Sequence, residues 1–297
     1  MLLYQDSKGN AGAGLNAMKH LNSINKVHFF IGDATTTVTL SLGEEVNKTN
    51  SFLLVPIASG DAITSLGENI FMNCPRNEKQ AVSAASYILN KFQYRKIGVI
   101  YQQFPYGVEL SEKFIRELNN HGLSPLFVES FGDAKGIKDV LLKIKNSHAE
   151  IIFIPMEYES AALVLKQAKE QGIESAFIGT DGAYSERLFE LAGEAANGFY
   201  LTLFPIDTQC GYYKKFEERF KEKYNSLPNI FACYGYESAK NLIYAIKHVG
   251  TDVDAVKAFF HTSEFPSFTG ALRFDEHGEV VRDFGLVKVA DQKFVIE

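Results

Sequence analysis

Two stretches, "VHFFIGDATTTVTLSLGEEVNKTNSFLLVPIASGD" (27–61) and "EIIFIPMEYESAALVLKQAKEQGIESAFIGTDGAY" (150–184), decide the fold. Each reads as a buried strand, a polar loop, a helix, a second strand and a second polar loop. At a constant offset of 123 positions Phe30 and Ile31 meet Phe153 and Ile154, and Val55 meets Ile178. One grammar written twice predicts two similar lobes rather than one extended sheet. Outward from these stretches the alternation runs the length of the chain, with strands expected at 96–101, 150–154 and 176–179 and helices at 137–146 and 230–249. Ile137, Val140, Leu141 and Ile144 share one helical face by their spacing, as do Ala239, Leu242, Ile243 and Ile246. Leu40, Leu42 and Val46 are expected on the inner face of the helix that follows the strand at 27–30. Such alternation means an α/β fold of parallel sheet with helices on both faces. Right-handed crossovers then bring the strand-to-helix loops to one edge of each sheet.

Ligands of such sheets sit beyond the carboxyl ends of the strands. Four loops qualify: Asp33-Ala34-Thr35-Thr36-Thr37, Ile57-Ala58-Ser59-Gly60, Met156-Glu157-Tyr158 and Thr180-Asp181-Gly182. The first two offer hydroxyls and backbone N–H groups at helix starts, which suit an anion. The others offer Glu157 and Asp181, which suit a cation. Carboxylate on one side and ammonium on the other is the demand of an α-amino acid. The threonines alone are also explained by helix capping.

The 297 residues carry 46% hydrophobic and 22% charged residues with a net charge of −6, the make-up of a globular chain with a sizeable core. Lys214, Lys215, Arg219, Lys221 and Lys223 are interleaved with Glu217, Glu218 and Glu222. That pattern is a solvated helix face and argues against nucleic acid as a partner. No apolar run reaches the roughly 18–20 residues that span a bilayer, and Met1-Leu2-Leu3-Tyr4 lacks the basic flank of a signal peptide. The three cysteines, Cys74, Cys210 and Cys233, have neither zinc-ligand nor redox spacing and read as buried free thiols.

Enzymatic motifs fail on inspection. "GAGLNA" (12–17) matches the dinucleotide fingerprint, with Asp33 about 20 residues on. Gln5 to Ala11 intervene between the strand expected at Leu2–Tyr4 and the first glycine, so Gly12 and Gly14 already lie in a helix. There is no nucleophile elbow, P-loop or zinc-binding helix motif, and the seven histidines are dispersed. Neither catalytic nor metal-ligating residues are assigned, and no cofactor is expected.

"YQDSKGN", "IGDATTT", "VPIASGDAIT", "KIGVIYQQFPYGVEL", "FIGTDGAYSERLFELAGEAANGFYLT", "FACYGYESAKNLIYAI" and "GALRFDEHGEVVRDFGLVKV" together resemble, in order and spacing, the type I solute-binding proteins of ABC transporters, in the leucine/isoleucine/valine-binding group. The resemblance implies two Rossmann-like lobes, 1–75 with 205–281 and 76–204 with 282–297, which close on a ligand, with crossings near Pro75, Phe204 and Arg282. It implies an extracytoplasmic protein, periplasmic or at the cell surface, that delivers an amino acid to a transporter permease. Thr36, Ala58 and Ser59 correspond to carboxylate-binding positions, with Thr35 and Thr37 beside them. Asp181 corresponds to the acidic partner of the ammonium, and Tyr106 and Tyr158 to aromatic contacts. Met156 and Glu157 depart from the small residues usual there, which admits a cationic ligand. A ligand-sensing module of a receptor or an amide-type regulator is the alternative use of the fold. The likeness also starts at what should be the second strand, so the first strand-helix unit is expected to be missing. Leu2–Tyr4 would then lack its neighbour.

Overall fold

The computed structural model describes residues 2–204 and 206–297. The chain divides into two compact units, Met1–Arg76 with Ile206–Arg282, and Asn77–Pro205 with Asp283–Glu297. In chain order the first unit opens with α1 (Ala11–Ser23), β1 (Phe29–Ile31), α2 (Thr36–Lys48), β2 (Phe52–Val55) and β3 (Ile70–Met72). The second holds α3 (Asn77–Ser86), β4 (Ile97–Gln102), α4 (Pro105–Asn120), β5 (Phe127–Phe131), α5 (Ala134–Ile144), β6 (Ile151–Ile154), α6 (Tyr158–Glu170), β7 (Ala176–Gly179), α7 (Arg187–Ala192) and β8 (Tyr200–Leu203). The first unit resumes with α8 (Gly211–Tyr224), α9 (Ile230–Val249), α10 (Val253–Thr262), β9 (Phe265–Ser267) and β10 (Gly270–Leu272), and the second closes with β11 (Gly285–Ala290) and β12 (Lys293–Ile296).

In the first unit β1, β2 and β3 form a parallel sheet in that order, with β2 in the middle. All four residues of β2 are buried, because alternate side chains enter two different cores. Phe52 and Leu54 pack with Phe71, Leu242, Val256 and Phe260 on one face, whereas Leu53 and Val55 pack with Met18, Leu42, Val46 and Met72 on the other. A buried polar knot lies beneath the first core. Glu237 of α9 is fully buried and accepts from Arg282 Nη2 (2.7 Å), Asn73 Nδ2 (3.1 Å) and the Phe268 N–H (2.9 Å). Arg282 and Arg76 are the last residues of the unit's segments, and Arg76 is likewise tied to the buried Glu279, through Nε at 2.7 Å.

The second unit has a seven-stranded sheet in the order β12-β11-β8-β7-β6-β4-β5. Phe114 of α4 stacks on Phe153 of β6 at 4.2 Å, and Ala81, Ala84 and Ala85 let α3 lie close against this core.

Several expectations need correction. The sheet of the second unit is mixed, since β11 runs antiparallel to both β8 and β12. The first strand begins at Phe29 rather than Val27, because the Val27 N–H closes the end of α1 on the Leu21 carbonyl. Leu40 is 37% exposed, since two residues from Leu42 is some 200° around a helix; Val38, Thr39, Leu42, Gly43 and Val46 form the inner face. On α9, Ile243 is 38% exposed, and Glu237, Ser238 and Asn241 are buried beside Leu242. Leu2–Tyr4 lies outside any strand, and Cys210 is only partly buried, unlike Cys74 and Cys233.

Candidate ligand-binding site

In the first unit, the turn from β1 into α2 is fastened by Asp33. Its Oδ1 accepts from the Thr35 N–H (3.0 Å) and Thr35 Oγ1 (3.2 Å), and its Oδ2 accepts from Ser7 Oγ (2.7 Å). Thr35 is the N-cap of α2, its Oγ1 accepting from the Val38 N–H. Thr36 does something else. Its Oγ1 accepts from the Gly60 N–H at 3.1 Å, which ties the β1–α2 loop to the loop after β2. A hydroxyl that accepts from an N–H keeps its own proton to donate. A Cβ on residue 60 would lie 2.2 Å from Thr36 Cγ2, so only glycine permits this approach. Ala58 and Ser59, just before it, are buried at 3% and 6% exposure. Thr37 faces solvent on the first turn of α2. The three threonines therefore have three roles: Thr35 caps, Thr36 bridges two loops, and Thr37 is exposed.

In the second unit, Asp181 opens a short turn after β7, and Tyr106 sits in the first turn of α4 behind Pro105. The Tyr106 hydroxyl is 2.8 Å from both Thr180 Oγ1 and Asp181 Oδ1. Gln80 Nε2, from α3, donates to the same Oδ1 at 2.8 Å and to the Thr202 carbonyl at 3.1 Å. Burial raises the Asp181 pKa above the usual carboxylate range, while the Tyr106 and Gln80 hydrogen bonds oppose that rise. Burial, reinforced by the charges of Asp181 and Glu157, raises the Tyr106 pKa well above that of an ordinary phenol. Glu157 faces the same spot: a Cβ on Gly182 would lie 3.2 Å from the Tyr106 hydroxyl and 3.4 Å from Glu157 Oε2. Its side chain keeps an open side, yet burial of the carboxyl, then the Asp181 and Glu159 charges, push its pKa up to about 7. Two carboxylates at one place, one held by two neutral donors, favour a cation there.

Tyr158 is engaged differently. Its hydroxyl accepts from Arg187 Nη1 at 3.0 Å, and that guanidinium lies 5.6 Å from the ring centroid. Met156 is fully buried and packs as core. The sequence reading missed Gln80 and Thr202, and it named Thr180 only as part of its loop. A glutamine on the alanine-lined face of "NEKQAVSAAS" was the available signal for the first of them. Among the described residues no group of three His, Cys, Asp or Glu side chains is placed to hold a metal ion.

The periplasmic binding protein family matches residues 1–293. The chain belongs to the periplasmic binding protein family. Among its relatives, a Leu/Ile/Val-binding protein homolog 1 of Brucella abortus is 26% identical over 257 residues, 85% of this chain and 69% of that protein. The leucine-, isoleucine-, valine-, threonine- and alanine-binding protein of Pseudomonas aeruginosa is 24% identical, over 94% of this chain and 75% of its own. The fold is that of the branched-chain amino acid transporter substrate-binding protein LivJ of Streptococcus pneumoniae, solved with isoleucine, with a TM-score of 0.90 at 22% identity, over 100% of this chain and 87% of that one. A solute-binding protein of R. palustris solved with benzoate shares the fold too, with a TM-score of 0.87 at 18% identity, over 98% and 82% of the two chains. The type I binding-protein architecture expected from the sequence is therefore the architecture of this periplasmic binding protein. Its family is one of solute-binding proteins rather than enzymes, and implies a place outside the cytoplasm.

Proposed function

We propose that this periplasmic binding protein captures an α-amino acid, branched-chain or related, and presents it to the permease of an ABC transporter. The first unit supplies Thr36, Ala58 and Ser59 for the carboxylate, with Thr35 and Thr37 at the same helix start. The second supplies Asp181 for the ammonium, with Tyr106, Glu157 and Tyr158 around the rest of the ligand. The observation that carries this reading is the Asp181 carboxylate, aligned by Tyr106 and Gln80 with no cationic side chain among its hydrogen-bond partners in the described residues. An ammonium completes such a group through a charge-assisted bond, which contributes roughly 1.5–3 kcal/mol. Asp181→Ala should therefore weaken an amino acid at least about tenfold. Unchanged affinity in that variant, measured by titration calorimetry on ligand-free refolded protein, would remove the amine role. Glu157 favours a second reading within the same function, a dibasic amino acid, and the sign of the pH dependence separates the two.

A further inference from the structure

The loop that leaves β2 is held from behind by a thiol. Cys74 is fully buried, and its Sγ lies 2.7 Å from the Ile57 carbonyl oxygen and 3.3 Å from that of Ala58. Among the described residues no backbone N–H donates to either carbonyl, so the thiol proton is the donor that serves this bend.

The thiol itself has little freedom. The Asn73 N–H donates to the Val55 carbonyl at 2.8 Å, which continues the β2–β3 ladder, and Asn73 Nδ2 donates to the buried Glu237. On the other side Pro75 has its φ fixed by the ring. Arg76 then donates to Glu279 through its N–H at 3.0 Å and its Nε at 2.7 Å. Residues 73–76 are thus a rigid mount, and these partners all belong to the first unit.

Two carbonyls drawn to one sulfur decide where the adjoining amides point. The links from Ile57 to Ala58 and from Ala58 to Ser59 are trans peptides. In a trans peptide the N–H runs antiparallel to the C=O of the same plane. The Ala58 and Ser59 N–H groups therefore both leave the backbone on the side away from Cys74. Successive N–H groups on one side of a bend form an anion-binding concavity. The next N–H, that of Gly60, goes to Thr36 Oγ1 at 3.1 Å, which brings the Thr36 hydroxyl to the same loop with its own proton to give.

We propose that Cys74 is a positioning residue of the ligand site: by holding the Ile57 and Ala58 carbonyls it aims the Ala58 and Ser59 N–H groups at the carboxylate of the ligand. The inference rests on the amino-acid reading above for the identity of the anion, and on the first unit alone for its geometry. A thiol suits the place because it packs as a small apolar group and still carries a proton to donate.

The test labels the full chain with nitrogen-15 and follows the Ala58 and Ser59 amide resonances on addition of isoleucine and, separately, of acetate. In the parent, a carboxylate that accepts from these amides moves both proton resonances downfield. Cys74→Ser keeps a donor and should keep both shifts, with isoleucine affinity within about twofold of the parent. Cys74→Val fills the space without a donor. It should lose at least one of the two shifts and bind isoleucine at least about fivefold more weakly, the worth of roughly one hydrogen bond. A role in packing alone would be rescued by valine rather than serine, so the order of the two variants separates the explanations. Cys74→Ala reads the same loss if the valine variant fails to fold. Parent amides that shift with neither probe, or a valine variant that shifts and binds as the parent does, would overturn the proposal. Acetate shifts that depend on the thiol, in a protein that isoleucine leaves unmoved, would uphold it and remove the amino-acid reading instead.

Discussion

Replacing Glu237 by leucine should cost the first unit about 3–5 kcal/mol, and removing Arg282 as well should return most of it. Glu237 is fully buried and Arg282 is 8% exposed, so neither charge has water as an alternative partner. Burial works against the Arg282 charge, and Glu237, the strongest of its compensating neighbours, keeps the guanidinium pKa raised. In Glu237→Leu the guanidinium keeps the Ser267 hydroxyl at 3.0 Å and the Tyr234 ring at 5.3 Å but loses its counter-charge. The Phe268 N–H and Asn73 Nδ2 lose their acceptor in the same change. Breaking one side of a buried ion pair in this way costs about 3–5 kcal/mol, whereas replacing both partners by apolar groups is often neutral. For a unit of about 150 residues each kcal/mol moves the midpoint by about 2–4 °C, so the single variant should melt about 10 °C lower. Glu237→Leu combined with Arg282→Met should recover at least half of that loss. Thermal unfolding followed by circular dichroism at pH 7 reads all three proteins. A single variant that melts within 2 °C of the parent, or a double variant no better than the single, would refute the reasoning.

Gly60→Ala should disrupt the approach of the two loops, since the new methyl would meet Thr36 Cγ2; ligand affinity is expected to fall at least about tenfold, read by calorimetry, with smaller loss in melting temperature. Tyr106→Phe removes a hydrogen bond that holds the Asp181 pKa down, so that pKa should rise further and amino-acid affinity should fall off at a higher pH than in the parent on acidification. Glu157 has its folded-state pKa raised to about 7 from 4.5, so its proton-linked stability is full at low pH and is lost as pH rises to about 7. Glu157→Gln should accordingly stabilise the protein at pH 8 by about 1 kcal/mol, allowing for solvent screening on its open side, and leave it unchanged at pH 4. Binding reads the same group: a dibasic ligand should bind more tightly as pH rises from 6 to 8, and an apolar one should not.

Much of the fold was legible because its strands are short, apolar and regularly spaced. The repeat at an offset of 123 matched the stretch that holds β1, α2 and β2 with the one that holds β6, α6 and β7. What escaped the sequence depended on contacts distant along the chain. β11 runs antiparallel to β8 where the chain comes back from the first unit, and a tight hairpin then turns it into β12; the apolar patterns of these strands carry no direction. The burial of Glu237 on α9 could not be read from periodicity, since its partners lie up to 164 positions away. In the site, the loops at the strand ends were legible, and so was the capping by Thr35. The bridge from Thr36 to Gly60 and the hold of Gln80 on Asp181 were not, because each joins two elements whose approach is set by packing.

The central claim is recognition of an amino acid by its two charged groups. The most direct measurement titrates refolded, ligand-free protein with isoleucine, with its des-amino acid 3-methylvalerate, and with its decarboxylated amine 2-methylbutylamine, reading the melting temperature of each mixture. Binding to the folded state alone stabilises by RT ln(1 + [L]/Kd), about 2.7 kcal/mol at a hundredfold excess over Kd. The account predicts a shift with isoleucine, or with lysine if Glu157 decides the side chain, and little or none with either truncated molecule. A truncated molecule that shifts the melting temperature as far as the whole amino acid, or no shift with any amino acid, would contradict it.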